Sequence, residues 1–151
     1  MSDYIPEHVI TIHHDHKLII LTILGTRVYP NPQPMDILLD LMANTKPYLS
    51  GQAHSGLALG AANIVNVAIP KLKTLIGQYP GYTVLVLGYS LGAGLAQLVA
   101  LDCDSGQCRD MLPPDTDIMV IGYGSPPVFY SNLVPQLENV FLVQNNEVEN
   151  V

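Results

Sequence analysis

The chain has 151 residues, 48% of them hydrophobic and 13% charged, with six basic against thirteen acidic side chains and a formal net charge of -7. That length and composition predict one hydrophobic core and a single domain over residues 1–151, and the acidic balance argues against a nucleic-acid groove and against electrostatic attraction to anionic membranes. No apolar run reaches the roughly 20 residues of a membrane span, and Met1-Ser2-Asp3-Tyr4-Ile5-Pro6-Glu7 lacks the basic and apolar regions of a signal peptide, so the chain as given reads as soluble and untargeted.

Val9 to His13 and Lys17 to Thr26 read as two strands joined at Asp15-His16, and the unbroken apolar run Leu18 to Leu24 predicts a central strand. Strand alternation sends His14 and His16 to one face and His13 and Asp15 to the other, which fits the solvated end of a hairpin better than a metal site with convergent ligands. Arg27 to Met35, with Pro30, Pro32 and Pro34, reads as loop, and Asp36 to Met42 as a short helix or amphipathic turn. Ser55 to Gln78 spaces Leu57, Ala61, Ile64, Val65, Ala68 and Leu72 at helical intervals; Pro70 predicts a kink or a fresh start, and Tyr79-Pro80-Gly81 an end.

Thr83 to Leu87 predicts a buried strand and Leu91 to Leu101 a helix. Asp102 to Asp115 reads as loop, with Asp102, Asp104, Asp115 and Asp117 as loop and solubility residues. Cys103 and Cys108 flank a four-residue stretch that a small disulfide and a pair of free thiols fit equally. Ile118 to Tyr123 follows as strand, then a short segment around Ser131 to Leu137 and a last strand from Val140 to Gln144. The alternation of strands and helices predicts an α/β fold, a mostly parallel sheet with helices on both faces.

The most specific stretch is Gly88-Tyr89-Ser90-Leu91-Gly92, set between the buried strand and the small-residue helix. A serine at the apex of so tight a strand-to-helix turn takes a strained backbone conformation, and glycines two residues to either side remove the side chains that collide there. The helix beginning at that serine directs its unpaired N–H groups toward the place where an oxyanion forms.

Further motifs share the order and spacing of a known family. Ile23-Leu24-Gly25-Thr26 resembles an R-G-T strand end, with Leu24 in the place of arginine. Asp36 to Leu41 resembles D-W-x-x-D-L, and Ala53-His54-Ser55-Gly56-Leu57 is similar to V-H-x-G-F. Gly88 to Gly92 stands for G-H-S-L-G, and Ile121 to Pro126 for T-Y-G-S-P. Together they resemble the class 3 lipases, the fungal-lipase-like branch of the α/β-hydrolases, from about Val9 onward.

The resemblance implies an α/β-hydrolase-like core, truncated at its C-terminal side, that hydrolyses a lipid or small ester substrate with transient contact to a lipid surface and without cofactor or metal. It implies Ser90 as nucleophile, with the Leu91 N–H and Thr26 as oxyanion donors. Gln144-Asn145-Asn146-Glu147-Val148 resembles V-x-N-x-x-D-x-V, which implies Glu147 as the acid of the triad, with Glu149 a second candidate. Arg27 to Met35 falls at the family's lid, a place that a plain crossover loop fills as well.

Hydrolases of this fold order the triad serine, acid, histidine, yet His8, His13, His14, His16 and His54 all precede Ser90. A serine with no imidazole to take its proton is a poor nucleophile. The expectation is therefore an impaired ester hydrolase, with a lipase-like binding or interaction module that does not catalyse as the alternative. His54, at the head of the long helix, is more simply a helix-end or core hydrogen-bonding group than a substitute base. Tyr89 also suits the G-Y-S-x-G of cutinases. Apolar residues near Val140 to Val143 predict self-association or a covering partner.

Overall fold

The computed structural model describes residues 5–25, 43–130 and 140–143. Strand β1 (His8–His13) and strand β2 (Leu18–Ile23) form an antiparallel hairpin in register from His8 opposite Ile23 to His13 opposite Leu18. The residues between them are a turn and not a continuation of either strand, which corrects the alternating-face expectation for the histidines. The His13 and His16 rings lie 4.8 Å apart, and the His16 N–H donates to His13 Nδ1 at 3.4 Å. His14 turns away, its Nδ1 3.0 Å from the Tyr82 hydroxyl.

Helix α1 (Ser55–Gln78) and helix α2 (Leu91–Ser105) form the helical layer, with the short helix α3 (Gln107–Met111) packed on both. The main sheet adds strand β5 (Thr83–Tyr89), strand β6 (Ile118–Tyr123) and strand β8 (Val140–Val143), in the order β1-β2-β5-β6-β8, with every pair after the hairpin parallel. The strand expected to be central, β2, therefore lies one place in from the edge, and β5 takes the middle.

From β2 onward, strand order follows chain order. Right-handed crossovers, the rule for parallel strands, then all fall on one face of the sheet. Both long helices pack there, against each other and against β2. Ile19, Leu21 and Ile23 are buried beneath them, with Leu57, Ile64, Ile69 and Leu72 of α1 and Leu95 and Leu98 of α2. Helices were expected on both faces; among the described residues the two long helices occupy one. The alternate residues of β2, Leu18, Ile20 and Thr22, are only partly buried.

α1 runs unbroken through Pro70, which stands on its exposed side, so the predicted fresh start does not occur. By length and composition α1 is also apolar enough to cross a membrane, but its apolar stripe is packed in the core. The stretch from Asp102 to Asp115, expected to be loop, instead completes α2 and forms α3. Two links explain this: the Cys103–Cys108 disulfide ties the helices together, and the Asp102 carboxylate accepts the Cys108 N–H at 2.6 Å. Asp102 is thus a buried structural acid at 8% exposure and no solubility residue.

A second, antiparallel sheet of strand β3 (Thr45–Tyr48), strand β4 (Gly51–His54) and strand β7 (Phe129–Tyr130) has no counterpart in the sequence expectations. Its strands are too short, and β3 too exposed and polar, to give a periodic signal. The expected lid at Arg27 to Met35, the Asp36 to Met42 element and the Ser131 to Leu137 segment lie outside the described residues.

Candidate active site

β5 runs through the middle of the sheet and delivers Ser90 to its carboxyl edge, where α2 begins. Ser90 has φ 53° and ψ -121°, a conformation L residues rarely adopt. The turn is held from both sides: the Ser90 N–H donates to the Tyr123 carbonyl of β6 at 2.8 Å, and the Ser90 carbonyl accepts from Ala93 at 3.0 Å. Gly88 and Gly92 are required by close approach. A Cβ on Gly88 would overlap the Gly92 carbonyl, and one on Gly92 would overlap the Ile23 carbonyl of β2.

The end of β2 therefore abuts the turn. A Cβ on Gly25 would stand 3.6 Å from the Ser90 Cβ. Thr26, the next residue, and Glu147, four residues past the end of β8, lie outside the described residues. β8 ends at the same edge of the sheet as Ser90, with β6 between it and β5, since it is parallel to β6 and the Gly124 N–H donates to the Val143 carbonyl at 2.9 Å. Leu91, the first residue of α2, is buried at 2% exposure, and the N–H groups of a first helical turn have no intrahelical acceptor.

A cavity of about 280 Å³ opens beside this turn, lined by Thr22, Leu24, Gly25, Leu87, Tyr89 and Tyr123. Its wall is apolar and aromatic; Tyr89 is 70% and Tyr123 43% exposed.

The histidines separate by position. His13, His14 and His16 sit at the opposite edge of the sheet, because His13 pairs with Leu18 at the amino end of β2. His8 pairs with Ile23 at the near edge, its Nδ1 2.8 Å from the Pro6 carbonyl. His54 is the residue before α1, buried at 7%, and its N–H donates to the Val128 carbonyl at 3.4 Å in the segment following β6.

One linkage escaped the sequence expectations. Gln97 of α2 donates to Ser125 Oγ, which donates to the Pro126 carbonyl at 2.9 Å, so the helix after Ser90 anchors the segment after β6. The signal was there: Gln97 is the only polar residue from Leu91 to Leu101.

A parallel sheet with a strained serine between its middle strand and the next helix is the arrangement of an α/β-hydrolase. Residues 21–147 match the profile of the family Lipase (class 3). The chain belongs to that family. It is 27% identical over 117 residues to the lipase of Rhizopus niveus, a match covering 76% of this chain and 29% of that protein. It is 34% identical over 88 residues to lipase A of Sodiomyces alcalophilus, covering 58% of this chain and 20% of the relative. The crystal structure of the Lip2 lipase from Yarrowia lipolytica superposes with a TM-score of 0.64 at 24% identity, over 81% of this chain and 42% of that one. The chain thus spans about 29% of the length of the Rhizopus niveus relative.

Proposed function

We propose that this chain forms the nucleophile-bearing core of a carboxylic ester hydrolase acting on a lipid or small ester, with Ser90 as nucleophile. One observation carries the proposal: Ser90 holds φ 53° at the junction of β5 and α2. A non-glycine residue stays in such a conformation only where the surrounding fold enforces it, and the conformation lifts the hydroxyl clear of the sheet edge. Attack by Ser90 Oγ on an ester carbonyl forms a bond to carbon and moves the carbonyl electron pair onto oxygen. The Leu91 N–H and Thr26 are the proposed donors to that oxyanion, supported by Leu91 standing first in α2 and by Gly25, the residue before Thr26, packing on Ser90. Removing one such donor costs about 2.7–4 kcal/mol of transition-state stabilisation in comparable sites.

Glu147 is the proposed acid, supported by the exit of β8 at the same edge as Ser90. The proposal assigns the base to none of the five histidines of the sequence, all of which precede Ser90. Assayed without a base, Ser90 is expected to turn over slowly, since a partial triad keeps about 10³–10⁴-fold acceleration over water. The apolar and aromatic cavity beside Ser90 also fits a second reading, a lipase-like binding module without turnover.

Hydrolysis of p-nitrophenyl butyrate by the chain, by Ser90→Ala and by His54→Ala separates these. The proposal expects weak hydrolysis lost in Ser90→Ala and retained in His54→Ala. A histidine-bearing C-terminal segment from a related lipase, appended to the chain, should raise the Ser90-dependent rate, and Glu147→Gln in that chimera should lower it again. A rate unchanged by Ser90→Ala in both forms would leave the binding module as the function. A rate unchanged by Glu147→Gln would move the acid to Glu149.

A further inference from the structure

The carboxyl end of β6 is tied down at three consecutive residues. The Tyr123 carbonyl accepts the Ser90 N–H at 2.8 Å, the Gly124 N–H donates to the Val143 carbonyl of β8 at 2.9 Å, and Ser125 Oγ accepts from Gln97 of α2. Gly124 turns the chain between these bonds at φ 60°, in the left-handed region that favours glycine, although a Cβ there would meet nothing. Gln97 lies about two helical turns beyond Ser90 and so on the same face of α2. Gly94 stands between them on that face, where a Cβ would overlap Val128. The segment after β6 is therefore packed along the helix that begins at Ser90. Its bond to Gln97 has a fixed direction. A serine hydroxyl has one proton, and Ser125 gives it to the Pro126 carbonyl at 2.9 Å, so the Gln97 amide is the donor to Ser125. Ser125 is 8% exposed, where a lost partner leaves the hydroxyl orphaned.

We propose that Gln97 and Ser125 are a positioning pair for ester hydrolysis at Ser90. They fix the turn at residues 123–126, and that turn holds the Ser90 backbone through Tyr123 and the end of β8 through Gly124. The inference rests on Ser90 being the nucleophile. Neither side chain is assigned a contact with the ester; both act through the backbone of the turn. Ser90 is aimed by backbone alone, its φ of 53° being enforced in part by the bond to the Tyr123 carbonyl. Tyr123 is the last residue of β6, so on its carboxyl side the chain is held by this turn. Without the Gln97 bond the turn is free to shift on α2 and carry the Tyr123 carbonyl with it. The cost is paid in rate, since a misplacement of about 1 Å caused far from the chemistry can cost about a hundredfold.

The rate at which Ser90 is phosphorylated by diisopropyl fluorophosphate tests it. The reagent reacts once with a serine: the Oγ–P bond forms, the P–F bond breaks, fluoride leaves and the hydroxyl proton passes to solvent. Intact-mass spectrometry follows the adduct. Gln97→Met keeps the length of the side chain and removes the donor; adding Ser125→Ala removes the orphaned hydroxyl as well. The single variant should have a lower urea midpoint and, where fully folded, a Ser90 labelling rate lowered about tenfold or more. The double variant should recover the midpoint, because both polar partners are gone, yet keep the lowered rate. A merely structural pair would move the midpoint and leave the rate of the folded protein unchanged. Labelling of both variants at the parent rate, or a rate that returns in the double variant, would overturn the proposal and leave Ser90 as nucleophile. Labelling of the parent no faster than that of Ser90→Ala would overturn the nucleophile reading and the proposal with it.

Discussion

Gly25 and Ser90 are in such close contact that a methyl group on Gly25 would lie 3.6 Å from the Ser90 Cβ and 2.6 Å from the Tyr89 carbonyl oxygen. The second distance is to backbone, which cannot step aside as a flexible side chain can. Gly25→Ala is expected to destabilise the fold by about 1–3 kcal/mol and to depress any Ser90-dependent ester hydrolysis further still. Urea unfolding together with initial rates, measured where the variant is fully folded, checks both parts.

Ser90 itself stores backbone strain, with φ 53° and ψ -121°. Ser90→Gly should raise stability by about 1–2 kcal/mol, because glycine occupies this region without the Cβ clash. Ser90→Ala keeps the Cβ and should leave the denaturation midpoint nearly where it is. Equal midpoints for the two variants would show that the turn is not strained.

In α1, a Cβ on Gly77 meets nothing within 4 Å, and Pro70 stands on the exposed side of the helix interior. Gly77→Ala should stabilise by about 0.5–1 kcal/mol, and Pro70→Ala by up to about 3 kcal/mol as the missing N–H returns. Gly92→Ala, whose methyl would overlap the Ile23 carbonyl, should do the opposite. Thermal melts of the three variants give the signs.

The Asp102 carboxylate accepts the Cys108 N–H at 2.6 Å inside the junction of α2 and α3. Asp102→Ala leaves that buried donor unpaired and is expected to cost about 1–3 kcal/mol, with Asp102→Asn costing less because an acceptor remains. Denaturant titrations of the oxidised proteins measure the difference.

Tyr48 donates to the Leu98 carbonyl at 3.1 Å and lies 3.5 Å from Asp102 Oδ2. Burial first, and the Asp102 charge second, push its phenol above the usual range. The folded state therefore holds this proton more tightly than the unfolded chain does. The resulting stabilisation is complete below the ordinary phenol value of about 10 and declines as pH rises above it, where only the unfolded state releases the proton. Melting temperatures should fall above that pH in the parent chain, and less steeply in Tyr48→Phe.

The sequence made β2, β5 and β6 legible because each is a largely apolar run, and the turn at Ser90 legible because closeness of backbones forces glycine at positions 88 and 92. It hid whatever depends on contacts between distant residues. β3 and β4 are four residues each and gain their order from pairing with each other and with Phe129 and Tyr130. Asp102 looks like any surface acid until the chain folds back to bring it the Cys108 N–H. The burial of His54 and the bond from Gln97 to Ser125 likewise belong to the fold and not to the local pattern. For Thr26 and Glu147, the sequence motif and the positions of Gly25 and Val143 remain the grounds for assignment.

Because β2, β5, β6 and β8 are added to the sheet in the order in which they are synthesised, no strand has to be inserted between two that are already paired. A chain emerging from the ribosome amino end first always offers its next strand a waiting edge. The small sheet behaves otherwise, since Ala53 of β4 must wait for Phe129, which leaves the ribosome only after β5, α2 and β6. Assembly is expected to join β2, β5 and β6 before the small sheet closes. Pulse-labelled hydrogen exchange during refolding should find the amides joining β4 to β7 protected after those of the β5–β6 pair, and the opposite sequence of protection would reverse the order.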